Sequence, residues 1–311
     1  MSTTAESRNA ASSPAVTVPV KVQTPFQRFV TDFFESGVAL AASVVLVAII
    51  FIALFASVIS PTDPYDLATV SVVDARLPPG SKNLDGVTCW LGTDSAGRDL
   101  LSAIFYGLRI SLGVGVMSGL IALCIGCAFG LAAAYFGGRT DTLIMRIVDL
   151  QLSFPAILVA LILLAVMGKG VDKIVIALVA VQWAYYARTV RASALVERNK
   201  EYVEAAICLA LSHRRIVFRH LLPNCLPPLI VVGTLQTAHA ISLEATLSFL
   251  GVGLPITEPS LGLLIANGFE YMLSGKYWIS FFPGVALLIT IVTINLVGDR
   301  LRDVLNPRLQ R

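Results

Sequence analysis

Six stretches of this chain are apolar for about the length a helix needs to cross a bilayer core, roughly 20 residues. They run over residues 38–59, 110–136, 148–167, 174–194, 226–250 and 278–297. In lipid, backbone N–H and C=O groups must be satisfied within the segment or in a closed barrel, so continuous blocks of this length read as helices. The first carries no charge and ends at Ser60-Pro61. The third is interrupted by Ser153-Phe154-Pro155, and the fourth carries Arg188 and Arg191 near its end. Composition agrees: 56% of residues are hydrophobic, 14% are charged, and the mean hydropathy is +0.79. A soluble domain is about a quarter charged. The expectation is an all-α integral membrane protein with about six transmembrane helices.

Lys and Arg placement sets the orientation. Six spans put both termini on one side, together with Arg139, Arg146, Arg188, Arg191, Arg198, Lys200, Arg214, Arg215, Arg219, Arg300, Arg302, Arg308 and Arg311. The other side has Arg76, Lys82, Arg98, Lys169, Lys173 and Lys276, diluted by Asp63, Asp66, Asp74, Asp85, Asp94 and Asp99. Both termini are therefore expected in the cytoplasm. A net charge of +3 gives no footprint for nucleic acid.

Residues 1–25 are rich in Ser, Thr, Ala and Pro, lack the charged-then-apolar order of a signal peptide, and read as a disordered cytoplasmic tail. Residues 26–99 hold a short amphipathic segment with Phe26, Phe33 and Phe34, the first span and an outer polar loop with "PTDP" and "LPPG" turn signals. Residues 100–311 hold five further spans. The second span carries Gly115-x-x-x-Gly119 and Gly126-x-x-x-Gly130, small residues that let helix backbones approach closely. Cys124 and Cys127 make a C-x-x-C inside that span with no His or second pair nearby, and read as packing residues.

The longest polar run between spans is "EYVEAAICLALSHRRIVFRHLLPN", residues 201–224, in a loop of about 195–224. Its first part has strong helix formers and neither Gly nor Pro. Ser212 fits an N-cap for a second helix, and Pro223-Asn224 fits its end. Ile216, Val217, His220 and Leu221 would share one face, Arg215 and Arg219 another. From the residues alone, the pair is either an interfacial helix on lipid headgroups or a docking knob for a soluble partner.

The stretch resembles the EAA loop of the permease subunits of bacterial binding-protein-dependent ABC importers. Glu204, Ala205, Ala206, Leu222 and Pro223 match that pattern. Ala210 stands where it has Gly, and His220 where it has Ile. Four more segments resemble the dipeptide/oligopeptide branch: "LGTDSAGRDLLSAIFYGLRISL" (91–112), "YFGGRTDTLIMRIVDLQLSFP" (135–155), "LEATLSFLGVGLP" (243–255) and "NLVGDRLRDVLNPRL" (295–309), the last with Asn306 for the usual Asp. Together they cover the chain from about residue 25 to its end and point to the C-type permease subunit.

The resemblance implies a type I ABC importer permease fold in the bacterial cytoplasmic (inner) membrane. It implies a homologous second permease, one or two ATP-binding subunits that hold ATP and Mg, and a periplasmic or lipoprotein solute-binding protein, with membrane lipid around them. The coupling loop would present Glu204, Ala205, Ala206, Ala210, Arg215, Arg219, His220 and Pro223 to the ATPase. Substrates of the branch are mainly di- and oligopeptides; relatives take nickel, glutathione, opines or sugars. If the turn at Ala210 is left-handed, Ala costs on the order of 1 kcal/mol against Gly.

Charges within spans are costly and default to functional hypotheses. Glu244 and His239 are the candidate path or gate residues; five residues apart on a helix, they point in different directions, so each also reads as structural. Arg146 with Asp149, and Asp299 with Arg302, are spaced to pair on one face. Arg98 and Asp99 read as shaping the outer mouth or touching the solute-binding protein, or equally as a solvated helix start. No G-x-x-x-x-G-K-[ST] run provides a phosphate cradle, no H-E-x-x-H or G-x-S-x-G occurs, and His213, His220 and His239 lack metal-ligand spacing. An autonomous secondary transporter remains the alternative; it would place ion-coupling acids or broken helices in paired halves.

Overall fold

The computed structural model describes residues 24–66, 70–255 and 257–305. The expected tail falls almost wholly outside them, as does the side chain of Phe26. In chain order the elements are α1 (Pro25–Phe34), α2 (Gly37–Leu54), α3 (Ala56–Ile59), a hairpin of β1 (Ser81–Lys82) and β2 (Thr88–Cys89), α4 (Leu100–Phe136), α5 (Gly138–Ser153), α6 (Ala156–Met167), α7 (Val171–Arg198), α8 (Glu201–Cys208), α9 (His213–Arg215), a π turn (Ile216–Leu221), α10 (Leu222–Phe249), α11 (Leu261–Phe269) and α12 (Trp278–Leu305).

Among the described residues, four helical runs are long and apolar enough to cross a membrane: α2, α4, the continuous run His213–Phe249, and α12. The third expected span differs. It is broken into α5 and α6, bent by 90°. Pro155 is the cause: it cannot donate, and it forces the preceding Phe154 into an extended conformation (φ −91°, ψ 141°). The twelve residues of α6 reach only about 18 Å, less than a bilayer core. The fourth expected span is α7. Its 28 residues reach about 42 Å, but charges near its ends keep it outside that set of four. Two of those charges hold α5: Arg191 makes a bidentate pair with Asp141 (2.5 and 2.7 Å), and Arg188 pairs with Asp149 at 2.5 Å. The expected Arg146–Asp149 pair is therefore replaced by one between helices. Asp299 and Arg302 form no ion pair among the described residues.

The centre of the bundle is α4, packed between α7 and α10, and its glycines explain how. A Cβ on Gly126 would lie 2.4 Å from the Tyr186 Cβ, and one on Gly130 would lie 2.6 Å from the Ala187 carbonyl oxygen. The second Gly-x-x-x-Gly is thus the seam with α7. Gly115 makes the seam with α10, where its Cβ would meet Ile241 at 2.6 Å. At the opposite edge, α1 lies against α12: Arg300 donates to the Phe33 carbonyl at 3.4 Å and to the Asp32 carbonyl. Both described chain ends and the end of α4 at Phe136 share one end of the bundle, because Ile49, Leu100 and Ile279 pack together at the other.

That other end carries the polar loop, which is more ordered than a solvated linker. Arg98 and Asp99 are buried, so the solvated reading does not hold. Arg98 Nε donates to the fully buried Asp94 at 2.7 Å, and the backbone N–H groups of Ala96 and Arg98 bind the same carboxylate. Asp99 caps α4 by accepting from the backbone N–H and hydroxyl of Ser102. Thr93 ties this run to residues 74–77 before the hairpin, donating to the Asp74 carbonyl and accepting from the Leu77 N–H. Gly97 sits at φ +90°, and a Cβ there would lie 2.1 Å from the Ser71 carbonyl oxygen. The "GTDSAGRD" run is a staple that starts α4 in a fixed direction.

Gly126→Leu should destabilise the bundle by at least about 1–3 kcal/mol through overpacking of the α4–α7 seam. Gly233→Ala, inside α10 where a Cβ meets nothing within 4 Å, should be neutral or stabilising by up to about 1 kcal/mol. Thermal denaturation of the detergent-solubilised protein checks both; equal melting temperatures would contradict the seam.

Candidate functional site

The loop after α7 is built on the ends of α4, α7 and α10. In α8, Glu201 and Glu204 occupy the first turn, where the helix dipole favours acids. Val203 and Ala206 turn inward and pack with Leu131 and Ala134 of α4, Val190 and Ala194 of α7, Ile216 and Leu221 of the π turn, and Cys225 and Leu229 of α10. Glu204 and Ala205 face outward. The expected Ala205-Ala206 surface is thus corrected: Ala206, only 4% exposed, belongs to the core.

Ala210 ends this helix in the left-handed region, at φ +54°. The Leu211 N–H reaches back to the Ala206 carbonyl at 3.2 Å, the long bond of a Schellman-type end. The conformation that favours Gly is present and an Ala occupies it. The second half of the loop departs from expectation. Ser212 precedes α9, but its side chain makes no capping bond. Pro223-Asn224 does not end the helix. The chain widens into the π turn, where the Leu222 N–H bonds to the Val217 carbonyl five residues back, and continues into α10 with Pro223 in its first turn. At α spacing the Pro223 ring would collide with the carbonyl of Arg219. The widened turn accommodates it. Arg215, Arg219 and Pro223 are exposed, and His220 is half-buried.

Hydrogen bonds make the loop one body with the bundle. Arg198 donates to the Ala134 carbonyl at 2.8 Å, a cation at the C-terminus of α4. The Tyr135 hydroxyl meets His213 Nδ1 at 2.5 Å. Glu197 accepts from Lys200 at 2.6 Å and from the Tyr202 hydroxyl at 2.7 Å; Asn224 Nδ2 donates to that hydroxyl at 3.0 Å and to the His220 carbonyl at 2.7 Å. Burial, reinforced by the bond to Glu197, pushes the Tyr202 phenol up to about 12. The sequence did not single out Glu197 or Tyr202, and it offered Asn224 only as part of a helix end. Only the Glu197–Lys200 spacing was a local signal; the rest join residues of three different helices.

Glu244 and His239, the candidate path residues, are separated as their spacing implies. Glu244 is fully buried and accepts from Ser111 of α4 at 2.9 Å and Ser248 of α10 at 2.8 Å. Ser260, which caps α11, is a third partner. His239 is exposed on α10. Cys124 is exposed and Cys127 half-buried, both as free thiols. Among the described residues no group of three or more His, Cys, Asp or Glu is placed to hold a metal ion.

Residues 122–311, more than half of the chain, match the family described as binding-protein-dependent transport system inner membrane component. The chain belongs to that family. It is a multi-pass permease subunit of the inner membrane. Residues 24–79 match the N-terminal TM domain of oligopeptide transport permease C. A putative peptide transport system permease protein of Brucella suis biovar 1 (strain 1330) is 42% identical over 84% of this chain and 86% of its own. The di/tripeptide transport system permease protein DppC of Pseudomonas aeruginosa (strain UCBPP-PA14) is 36% identical over 96% of each. The inward-facing MetNI methionine ABC transporter is similar in fold, with a TM-score of 0.54 at 21% identity, over 67% of this chain and 98% of that one. The fold is that of a type I ABC importer permease.

Two outcomes follow from the loop's geometry. Ala210→Gly should stabilise the protein by on the order of 1 kcal/mol by relieving the left-handed alanine, and Ala210→Val should lower stability; thermal unfolding in detergent checks both. Tyr202 holds its proton more tightly folded than unfolded, so its contribution is fully present below about pH 10 and is lost as pH rises towards about 12. The stability gap between wild type and Tyr202→Phe should narrow over that interval in a pH series of melting curves.

Proposed function

We propose that this chain forms half of the translocation path of an ATP-driven importer of di- or oligopeptides, and that residues 195–224 are its joint to an ATPase. The observation that carries this reading is the loop itself: an outward face with Glu204, Ala205, Arg215 and Arg219, on a body packed into α4 and α7 and continuous with α10. A helix lying on lipid headgroups has no need of so rigid an attachment. The chain has no P-loop, so ATP and Mg belong to one or two partner ATPase subunits. A homologous permease supplies the other half of the path, and a periplasmic or lipoprotein solute-binding protein delivers the substrate.

The basic residues clustered at the end shared by the termini and the loop support a cytoplasmic position for both. In domain terms, residues 1–25 form a tail, 26–99 the N-terminal span and outer loop, and 100–311 the core permease unit. ATPase closure moves the loop and biases the spans between inward- and outward-open states, a two-state equilibrium shifted by ligands on both sides. Glu244 is read as a clasp between α4, α10 and α11, and His239 as the group facing the path.

Glu204→Lys should reduce substrate uptake by about tenfold or more, the scale of losing an interface anchor, while ATP hydrolysis and melting temperature are retained. Full coupled uptake in that variant, or purification of the chain in mild detergent without any ATPase, would reject the joint.

A further inference from the structure

Arg109 lies nine residues into α4, about 13 Å along its axis, and it is exposed. It forms no hydrogen bond or ion pair with the other described residues. It stands at the edge of the apolar stretch 110–136, where the charged head of an Arg can reach the polar boundary while its stem lies along apolar surface. The guanidinium lines two adjoining grooves. One, of about 380 Å³, is shared with Tyr65, Tyr106, Met117, Val171 and Val175. The other, of about 550 Å³, is bounded by α2, α4, α10 and α12.

The polar groups of the first groove can all donate. Tyr65 and Tyr106 meet edge to face at 5.3 Å, and neither hydroxyl bonds to another described residue. Asp63 acts electrostatically on Tyr106 and Glu258 on Tyr65, but neither acid pairs with Arg109 or lines the groove. The remaining wall is aliphatic. A planar guanidinium with two phenols beside an apolar wall is complementary to a carboxylate carried next to an apolar side chain. Tyr65 belongs to the polar loop, so the groove opens at the end of the bundle opposite the joint.

We infer that Arg109, Tyr65 and Tyr106 form a subsite that reads the C-terminal carboxylate of the transported peptide. This rests on the peptide reading and the orientation above: the groove then opens on the side where a solute-binding protein releases its cargo. Arg109 supplies the bidentate contact, the phenols add donors, and Met117, Val171 and Val175 take the last side chain of the peptide.

The test uses the assembled permease–ATPase complex in nanodiscs without its binding protein, titrated with alanyl-phenylalanine and with its C-terminal amide by ligand-observed NMR. Wild type should bind the free acid about tenfold or more tightly than the amide, as expected for loss of a charge-assisted contact. Arg109→Gln should bring the acid down to the level of the amide, and Arg109→Lys should keep part of the preference. Equal binding of acid and amide by wild type overturns the proposal, and so does a preference that survives in Arg109→Gln. Co-purified lipid is counted by mass spectrometry in the same samples. Loss of phosphatidylglycerol from Arg109→Gln with the acid–amide preference intact assigns the guanidinium to a lipid headgroup, which also overturns it. Uptake by the complete transporter separates the two levels of failure. If wild type imports no peptide, the peptide reading falls and the subsite with it; if it imports peptides without binding acid over amide, only the subsite falls.

Discussion

Close backbone contact between α4 and its two neighbours is the constraint on which the rest of the structure depends. In a bilayer the hydrophobic effect does not drive helices together, so association relies on packing, and packing needs small residues. Gly126 and Gly130 bring α4 onto α7, and Gly115 brings it onto α10. With that seam in place, the Phe136 end of α4 becomes a platform. Leu131 and Ala134 receive Val203 and Ala206 of the loop, and the Ala134 carbonyl receives Arg198. Without the seam, a polar helical loop would have only headgroups to rest on.

The charges divide between two tasks. Asp94, Arg98 and Asp99 are buried before the start of α4 and fix the entry into it. Arg188 and Arg191 sit nearer the other end of α7 and hold α5 alongside it. The same arginines that make α7 less apolar therefore keep the bent α5–α6 pair in register. The 90° bend is stable because one arm of the pair is fastened by ion pairs and the other, α6, is entirely apolar.

Much of this architecture was legible in the sequence, and the failures have a common cause. The apolar blocks located α2, α4, α10 and α12 because continuous hydropathy is a local property. The EAA resemblance located the loop. Pro155 signalled a break but not its angle, which depends on what fastens α5. The partners of Asp149 and Asp141 lie 39 and 50 residues away, so a rule confined to one helix face assigned Asp149 to Arg146 instead. Pro223 was read as a helix end because a π turn has no sequence signature of its own. The handedness at Ala210 has no signal in the sequence, since Ala gives no local preference for a left-handed turn. Within the site, helical periodicity put Arg215 and Arg219 on one face, and the outward Glu204 was what the resemblance implied; the inward turn of Ala206 needed the positions of α4 and α7.

The continuity of the helix from His213 to Phe249 has a mechanical consequence. Thirty-seven residues make a rod of about 55 Å, so a tilt of about 5° applied at its loop end carries the far end roughly 5 Å sideways. That far end is where the Glu244 carboxylate grips Ser111 and Ser260. A lever held there cannot move alone: it drags α4 and α11 with it, and a small push at the surface becomes a displacement of three helices at the opposite face of the membrane.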